Sequence, residues 1–431
     1  MRNPSPIQND AEAHAQALSQ ARVAIVHHWF VRQGGGERFV EHLANLLPQA
    51  DLYALVACRQ GTPPALRPRK VATSFLQRFP GSRRWHRLYM PLFPLALEQF
   101  DLSAYDLVIS SESGPAKGVI TPARTCHICY CHTPMRYIWE MYPQYLRTAP
   151  FGPLGRAIFA ASAHYLRQWD LSTAARVDFF AANSANTARR IAKVYRRTAE
   201  IIHCPIDTKP FAAPRQPEDF YLVVSRLVSY KRIDLAVSAC KDLHRHLVVI
   251  GDGEDARALA QGAGPTTKFL GRCTDETIRD HYRRARALLF PGEEDHGLAP
   301  IEAQAAGCPV IAFGRGGALE TVRGRWVGQD GPEKPTGVFF SAQTRESLAE
   351  AILFFERNQA EFSPNAARAN AEQFDVSHFR RKMAHFIERC MAQKSESAAQ
   401  DAPSTPPNPN PAPPPNSRSG PSTPHLPPHT H

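Results

Sequence analysis

Two glutamates eight residues apart, Glu294 and Glu302, flank a glycine turn in the run G-E-E-D-H-G-L-A-P-I-E-A-Q-A-A-G-C-P-V, Gly292 to Val310. Carboxylates in such a turn can hold hydroxyl groups or meet a developing positive charge. The apolar Ala287–Phe290 run ahead of them reads as a short buried strand, and Ala299–Ala306 as a helix that Gly307 ends. A strand–turn–helix step aims free backbone N–H groups, and the positive end of the helix dipole, at whatever lies above the sheet. An anion site beside carboxylates suits a phosphorylated sugar compound. Helix-start carboxylates favoured only by the dipole are the competing reading; the flanking glycines and the cations upstream weigh against it.

Those cations are Arg226 and Lys231 in S-R-L-V-S-Y-K-R, Ser225 to Arg232. The run ends one expected strand and opens a helix, so both side chains project toward one cleft edge. Two fixed cations there could neutralise a diphosphate leaving group without a metal ion. Taken alone, basic residues at a helix start also fit a solvated face. Upstream, Gly34, Gly35 and Gly36 follow the first expected strand and precede a helix, where glycine lets a backbone approach a phosphate closely. Their spacing is not G-x-G-x-x-G, and no G-K-[ST] is present, so an ordinary strand-to-helix turn competes. His132 ends the expected strand Cys126–Cys131, just before Thr133-Pro134, and should face the same cleft. Cys126, Cys129 and Cys131 share that strand without a second ligand pair, so they read as buried residues rather than zinc ligands.

Alternating strands and helices must position these residues. In the first half the expected strands are Arg22–His28, Asp106–Ser110, Cys126–Cys131 and Val177–Ala182, with helices at Gly36–Leu47 and Ala185–Tyr195. The second half restarts with strands at Phe220–Ser225, His246–Ile250, Lys268–Leu270, Ala287–Phe290 and Pro309–Ala312. Such alternation implies parallel sheets covered by helices on both faces. The expected architecture is therefore α/β, with two doubly wound Rossmann-like domains facing across a cleft. Ligands of such sheets bind beyond the carboxyl ends of the strands. The expected organisation is a loose arm (1–20), a first domain (21–204), a hinge (205–217), a second domain (218–375), a C-terminal helix (376–393) returning toward the first domain, and a disordered tail (394–431). Twelve of the 38 prolines lie between Pro403 and Pro428, so the tail buries too little apolar surface to offset the entropy of ordering it.

The 431-residue length accommodates two domains, each with its own core. No apolar run reaches the roughly 18 residues of a membrane span. The polar, alanine-rich first 20 residues carry no secretory h-region. Nine scattered cysteines suit a reducing compartment, and the expected location is cytoplasmic. The net charge of +11 suits nucleic acid, an anionic membrane or phosphorylated substrates. Nucleic acid has no accompanying motif. The stretch Arg59–Leu97 holds eight Lys or Arg and no Asp or Glu, together with Phe75, Phe79, Trp85, Tyr89 and Phe93. It suits peripheral docking on an anionic membrane surface, such as the inner face of a plasma membrane, and equally a solvated face over core aromatics.

Taken in order, the motifs resemble the retaining glycosyltransferase family 4, with its GT-B architecture. Glu294 through Glu302 matches the family's E-x7-E signature, followed by A-Q-A-x-G-x-P-V-I-A at 303–312. S-R-L-V-x-Y-K-R-I-D-L-A (225–236), V-I-G-D-G (249–253) and F-L-G (269–271) look like its nucleotide side. In the first half, G-G-x-E-R (Gly35 to Arg38) and C-H-T-P-M-R-Y-I-W (131–139) look like its acceptor-domain signatures. The resemblance spans about residues 21–390.

That resemblance implies roles. Arg226 and Lys231 would bind the donor diphosphate, Glu302 the ribose hydroxyls, and Glu294 the donor sugar, with Gly297 and Leu298 beside it. Gly35 and Gly36 would approach the diphosphate from the other domain, and His132 would sit near the transferred sugar. Asp252, Gly253, Leu270 and Gly271 would lie near the nucleoside. His296 stands where the family usually has phenylalanine in E-x-F-G. The implied activity moves a hexose, with mannose from GDP-mannose as the first candidate, from a nucleotide diphosphate sugar to a glycan or polyprenyl-diphosphate-linked acceptor, with retention and no metal cofactor. The setting most like it is bacterial polysaccharide assembly. A non-catalytic sugar-nucleotide binder of the same fold is the alternative, and donor turnover separates the two. A paired-domain NAD enzyme is disfavoured by the absent G-x-G-x-x-G.

Overall fold

A computed structural model describes residues 20–147 and 152–400 of the chain. They form two seven-stranded sheets, every recorded pairing of which is parallel. The first contains β1 (Val23–Phe30), β2 (Asp51–Ala57), β3 (Val71–Thr73), β4 (Leu107–Glu112), β5 (Cys126–Cys131), β6 (Phe179–Ala182) and β7 (Glu200–Ile201), ordered β3-β2-β1-β4-β5-β6-β7. The second contains β8 (Tyr221–Val224), β9 (Leu247–Ile250), β10 (Thr267–Gly271), β11 (Leu288–Phe290), β12 (Val310–Phe313), β13 (Gly324–Trp326) and β14 (Gly337–Phe340), ordered β10-β9-β8-β11-β12-β14-β13. This is the pair of doubly wound α/β domains that the strand–helix alternation predicts, and the two-domain GT-B architecture that the resemblance implies.

Both sheets obey the same physics. β1 reads V-A-I-V-H-H-W-F and is almost wholly buried, because helices cover both of its faces. Ile25 lies between Leu52 and Ile109 in register, and Leu288 between Leu222 and Val310. Strand order reverses between β1 and β4 in one sheet and between β8 and β11 in the other. At such a reversal the following helices diverge to opposite faces and leave a crevice at the carboxyl ends of the strands. The glycines after β1, the cations after β8 and the carboxylates after β11 all occur at these two crevices.

The segments at 202–206 and 374–376 link the domains. Ile206 and Asp375 form a bridge there, with Ile206 N–H donating to the Phe374 carbonyl and Val376 N–H to the Ile206 carbonyl. The last helix, Val376–Gln400, runs back over the first domain. Phe379, Met383, Phe386 and Ile387 bury in its core, and Phe379 meets Phe39 edge-on at 5.5 Å. Each such large apolar side chain contributes about 1.5–3 kcal/mol when fully buried. The helix passes the expected boundary at Lys394 and ends at Gln400, so that boundary is corrected. A tertiary contact that composition does not carry holds the chain at that boundary: Lys394 Nζ reaches Asp178 Oδ1 at 2.7 Å. The arm through residue 19 and the proline-rich sequence from 401 lie outside the described residues.

The basic stretch divides its aromatics. Phe93 is in the core, and Phe75, Phe79 and Tyr89 pack against it. Trp85, Leu88 and Leu95 turn outward, each 53% exposed, among Arg83, Arg84 and Arg87. Among the described residues no helix is long and apolar enough to cross a membrane. Behind this stretch, a fully buried Lys117 pairs with Asp170 and lies 3.7 Å from Glu112. Asp170 also accepts from Trp139 Nε1 at 2.7 Å and from the Tyr195 hydroxyl at 3.0 Å. Burial pushes the Glu112 carboxyl up to about 7, against the pull of Lys117.

Candidate functional site

The loop between β11 and the helix Leu298–Ala305 forms the floor of the second crevice. Gly297 turns the chain there with φ +82°, a left-handed conformation that a side chain would strain. The loop rests on a second glycine segment. A Cβ on Gly317 would come within 2.4 Å of the His296 backbone, and Gly317 N–H donates to the Glu294 carbonyl at 2.8 Å. Thus Gly314-Arg315-Gly316-Gly317 works as a backing plate that fixes where the loop carboxylates point.

Lys231 and Glu294, 63 positions apart in sequence, form an ion pair with both side chains mostly shielded, at 14% and 20% exposure. The pairing closes one edge of the crevice without neutralising the rest of it. Arg226 stands apart, 38% exposed, with Glu254 Oε1 at 3.4 Å. Arg272 and Arg226 lie near enough to Arg32 of the first domain to push its pKa down, adding to the larger effect of burial. An accumulation of cations at the strand ends is what an anion site requires.

The nucleoside candidates sit at the ends of β9 and β10. Asp252 Oδ1 accepts from Gly253 N–H at 2.8 Å, and Gly251 N–H donates to the Gly271 carbonyl at 2.8 Å. Leu270 and Gly271 are half-buried beside them. Glu302 accepts from the Tyr282 hydroxyl at 3.1 Å and lies 3.4 Å from Arg38 Nη1. Burial raises its pKa, and Arg38 opposes the rise. Arg38 also binds Asp275 at 2.7 Å. Burial alone would lower its pKa, but the two carboxylates raise it.

The first domain meets this wall directly. A Cβ on Gly35 would lie 2.9 Å from Leu298 Cδ1, so the glycine turn and the opposing helix start are in contact. A Cβ on Gly36 would lie 3.4 Å from the His27 ring. His132 is buried, with Nε2 3.1 Å from Ser111 Oγ and Nδ1 3.6 Å from Cys204 Sγ. Burial, reinforced by His27, lowers its pKa to about 3, so the imidazole is neutral at physiological pH. It therefore supplies no cation to the crevice, and its two ring nitrogens face Ser111 and Cys204.

Sequence reading missed the residues that join the domains. Asp295 pairs with Arg136 and Arg190 of the first domain and accepts from Asn186 Nδ2 at 3.3 Å. Burial would lower the Arg136 pKa, but Asp295 holds it raised. Glu320 caps a helix across the cleft: its carboxylate takes Ala185 N–H at 2.7 Å and Asn186 N–H at 3.0 Å, at the start of Ala185–Tyr195. Adjacent residues Glu294 and Asp295 thus face different domains. Arg38 and Arg136 fall within motifs that resemble the family, but partners more than 150 positions away leave no local signal.

His296 is buried between His203 and Phe374, with ring centroids at 5.2 and 5.8 Å. Among the described residues neither of its ring nitrogens has a partner in hydrogen-bond geometry. Burial and then His203 lower its pKa to about 3, while the Cys204 backbone is close enough to oppose them slightly. The three strand cysteines Cys126, Cys129 and Cys131 are buried and free.

Comparison with known proteins follows the same division of the chain. The family described as Glycosyltransferase Family 4 matches residues 33–210, and that described as Glycosyl transferases group 1 matches residues 206–374. A GDP-mannose-dependent alpha-(1-6)-phosphatidylinositol monomannoside mannosyltransferase of Mycobacterium tuberculosis is 28% identical over 211 residues, 41% of this chain and 52% of that protein. An uncharacterized glycosyltransferase of Methanocaldococcus jannaschii is 32% identical over 130 residues, 27% of this chain and 33% of that protein. The chain thus spans only about a third to a half of the length of these relatives. Among solved structures, sucrose-phosphate synthase from Thermosynechococcus elongatus superimposes with TM-score 0.64 at 17% identity, covering 86% of this chain and 100% of that one. HepE of Anabaena, solved with UDP, gives TM-score 0.60 at 16% identity, covering 85% and 100%. The two family matches together span residues 33–374, one for each domain, and the chain belongs to the family 4-like glycosyltransferases of GT-B fold.

Proposed function

We propose that the protein is a retaining hexosyltransferase that uses a nucleotide diphosphate sugar. The observation that carries this reading is the Lys231–Glu294 pair, its glutamate on a glycine-backed loop whose following helix start, at Leu298, meets the Gly35 turn of the other domain. A donor diphosphate would draw Lys231 away from Glu294 and lie against Arg226 and the backbone N–H groups at the Gly35–Gly36 helix start. Glu294, released, would accept from sugar hydroxyls. Glu302 would hold the ribose, with Asp252, Gly253, Leu270 and Gly271 around the nucleoside and Gly297 and Leu298 beside the sugar. Neutral His132 would lie near the sugar on the first-domain side and would hydrogen-bond it only by exchanging its long contact to Cys204.

In the proposed step the bond from the anomeric carbon to the diphosphate oxygen breaks as the acceptor oxygen bonds to the same face of that carbon. The departing phosphate oxygen takes the acceptor proton. Arg226 and Lys231 stabilise the negative charge that develops there, so no divalent ion is required. Domain closure, held by Asp295 and Glu320, assembles the two walls around the donor.

GDP-mannose is the first donor candidate, supported by the Mycobacterium tuberculosis relative, which is named as a GDP-mannose-dependent mannosyltransferase. The acceptor we propose is a glycan or a polyprenyl-diphosphate-linked sugar, as in bacterial polysaccharide assembly. The outward Trp85, Leu88 and Leu95 among arginines support peripheral docking on an anionic bilayer. Co-sedimentation with vesicles should rise with the anionic lipid fraction and drop when Trp85→Asp and Leu88→Asp are combined; indifference to both removes the membrane reading. The function itself is tested by incubating the protein with a panel of nucleotide sugars in EDTA. Release of nucleoside diphosphate with sugar transfer supports it. Binding without turnover across the panel supports a sugar-nucleotide binder instead.

A further inference from the structure

The end of β1 holds a cluster that the proposed transfer does not use. His27 and His28 are consecutive, yet their rings tilt together with centroids 4.0 Å apart. Glu37, in the first turn of the helix Gly35–Leu46, closes on them from above. One ring nitrogen from each histidine and one Glu37 oxygen lie within 4.8 Å of one another, and all three residues are buried.

The remaining ring nitrogens are already engaged. His27 Nδ1 lies 3.1 Å from Ser111 Oγ, and His28 Nε2 lies 3.4 Å from Ser113 Oγ. That leaves His27 Nε2 and His28 Nδ1, both buried and, among the described residues, without a hydrogen-bond partner. His27 Nε2 faces Glu37 Oε1 at 3.8 Å, too far for a hydrogen bond. When Nδ1–H donates to Ser111, a lone pair on Nε2 points at a carboxylate inside the protein. Two buried acceptors facing each other are costly unless a cation lies between them. Neutral imidazoles whose second nitrogen is held by an outer hydrogen bond, plus one carboxylate, form the donor set that suits zinc-class ions.

We propose that His27, His28 and Glu37 form a binding site for a divalent transition-metal ion of the zinc class. The ligands need to draw in by less than about 1.5 Å to reach the ~2.0–2.1 Å bond lengths of such a site. A fourth position is left for water. The ion would sit under the glycine turn, because the Gly36 Cβ position is 3.4 Å from the His27 ring. It would pin the end of β1 to the first turn of the following helix. The cluster includes neither Arg226 nor Lys231; it lies beneath Gly36 and shares Ser111 with His132, so the ion would act as a structural clamp under the donor-facing turn.

Full-length protein stripped with chelator and titrated with Co2+ provides the test. The expected result is one tightly held ion per chain with the visible absorption of a four-coordinate nitrogen–oxygen site, and a thermal midpoint that rises by several degrees with Zn2+. The His28→Asn, Glu37→Gln double variant should lose both responses while its metal-free midpoint stays close to that of the stripped wild type. His425, His429 and His431 near the end of the sequence could also take up metal, so a variant with these three changed to Ala is run in parallel and should keep both responses. Absence of uptake by wild type at tens of micromolar metal overturns the proposal. So does undiminished uptake in the double variant.

Discussion

The two walls of the cleft handle charge in opposite ways. On the second domain, Lys231, Glu294, Arg226 and Glu254 stand at the crevice mouth in pairs that a ligand can separate. On the first domain, beneath the surface arginines Arg32 and Arg38, a layer of histidines and one ion-pair cluster is sealed in. His27 and His132 are buried and neutral, and Lys117, Glu112 and Asp170 are fully buried behind them. The difference assigns different work to each side. A wall of exchangeable ion pairs can trade Glu294 for a diphosphate that keeps Lys231 paired. A wall of buried polar groups holds its shape whether or not a ligand is present. Changes in the second domain should therefore affect turnover before stability, and changes in the first should do the reverse.

The largest effect should come from breaking the sealed side. Lys117→Ala leaves Asp170 without its buried cation and should cost about 3–5 kcal/mol of folding stability, read by urea unfolding. The counterpart on the open side is Lys231→Ala. It should raise the barrier by roughly 2.7–4 kcal/mol, about a 100-fold or greater loss of turnover, while the thermal midpoint stays near that of wild type. If Lys231→Ala unfolds the protein and Lys117→Ala does not, the division between the walls is wrong.

Asp295→Asn probes the seam between them. Losing the charge that meets Arg136 and Arg190 should weaken closure by about 1.5–3 kcal/mol. Small-angle scattering should show a more open molecule, and kcat/KM should fall about tenfold or more. An unchanged scattering profile with unchanged kinetics would remove the latch.

pH separates the walls further. His27, His132 and His296 have pKa values lowered from 6.5 to about 3. Their stabilising contribution is therefore fully present above pH 6.5 and is lost as pH falls toward 3, by at most about 1.4 kcal/mol per pH unit for each group. Glu112, raised from 4.5 to about 7, acts oppositely: its contribution is present below 4.5 and lost as pH rises through 7. Unfolding free energies between pH 7.5 and 5 should fall with acid, and His132→Asn should flatten the slope. The smallest effect is expected for His296→Phe. Replacing two unpartnered ring nitrogens with an apolar ring of similar shape should leave stability within about 1 kcal/mol or improve it, as calorimetry would show.

The contrast also explains what sequence could reveal. The second wall is built from local strand–turn–helix units, so the positions of Arg226, Lys231, Glu294 and Glu302 follow from strand ends, and the Gly314–Gly317 backing leaves a visible glycine cluster. The short edge strands β3, β7 and β13 were not legible, because two or three residues carry too little period. Nor was β2, whose seven residues read D-L-Y-A-L-V-A without clean alternation. The pairing of Asp295 with Arg136 and Arg190, and the cap that Glu320 places on Ala185–Tyr195, join residues more than 100 positions apart. Only the docking of the two domains brings them together. The buried Lys117–Asp170 pair was hidden for a related reason: the two are 53 positions apart, and only the packing of the helix Gly152–Thr173, which carries Asp170, brings them together.

The central claim is that the open wall carries sugar transfer from a nucleotide donor without a metal ion. The most direct measurement is NMR of the product formed in EDTA from GDP-mannose and, in parallel, other nucleotide sugars, by wild type and Lys231→Ala. The account predicts a transferred hexose with the donor's anomeric configuration, formed at least about 100-fold faster by wild type. An inverted product, or equal rates for the two proteins, would contradict it.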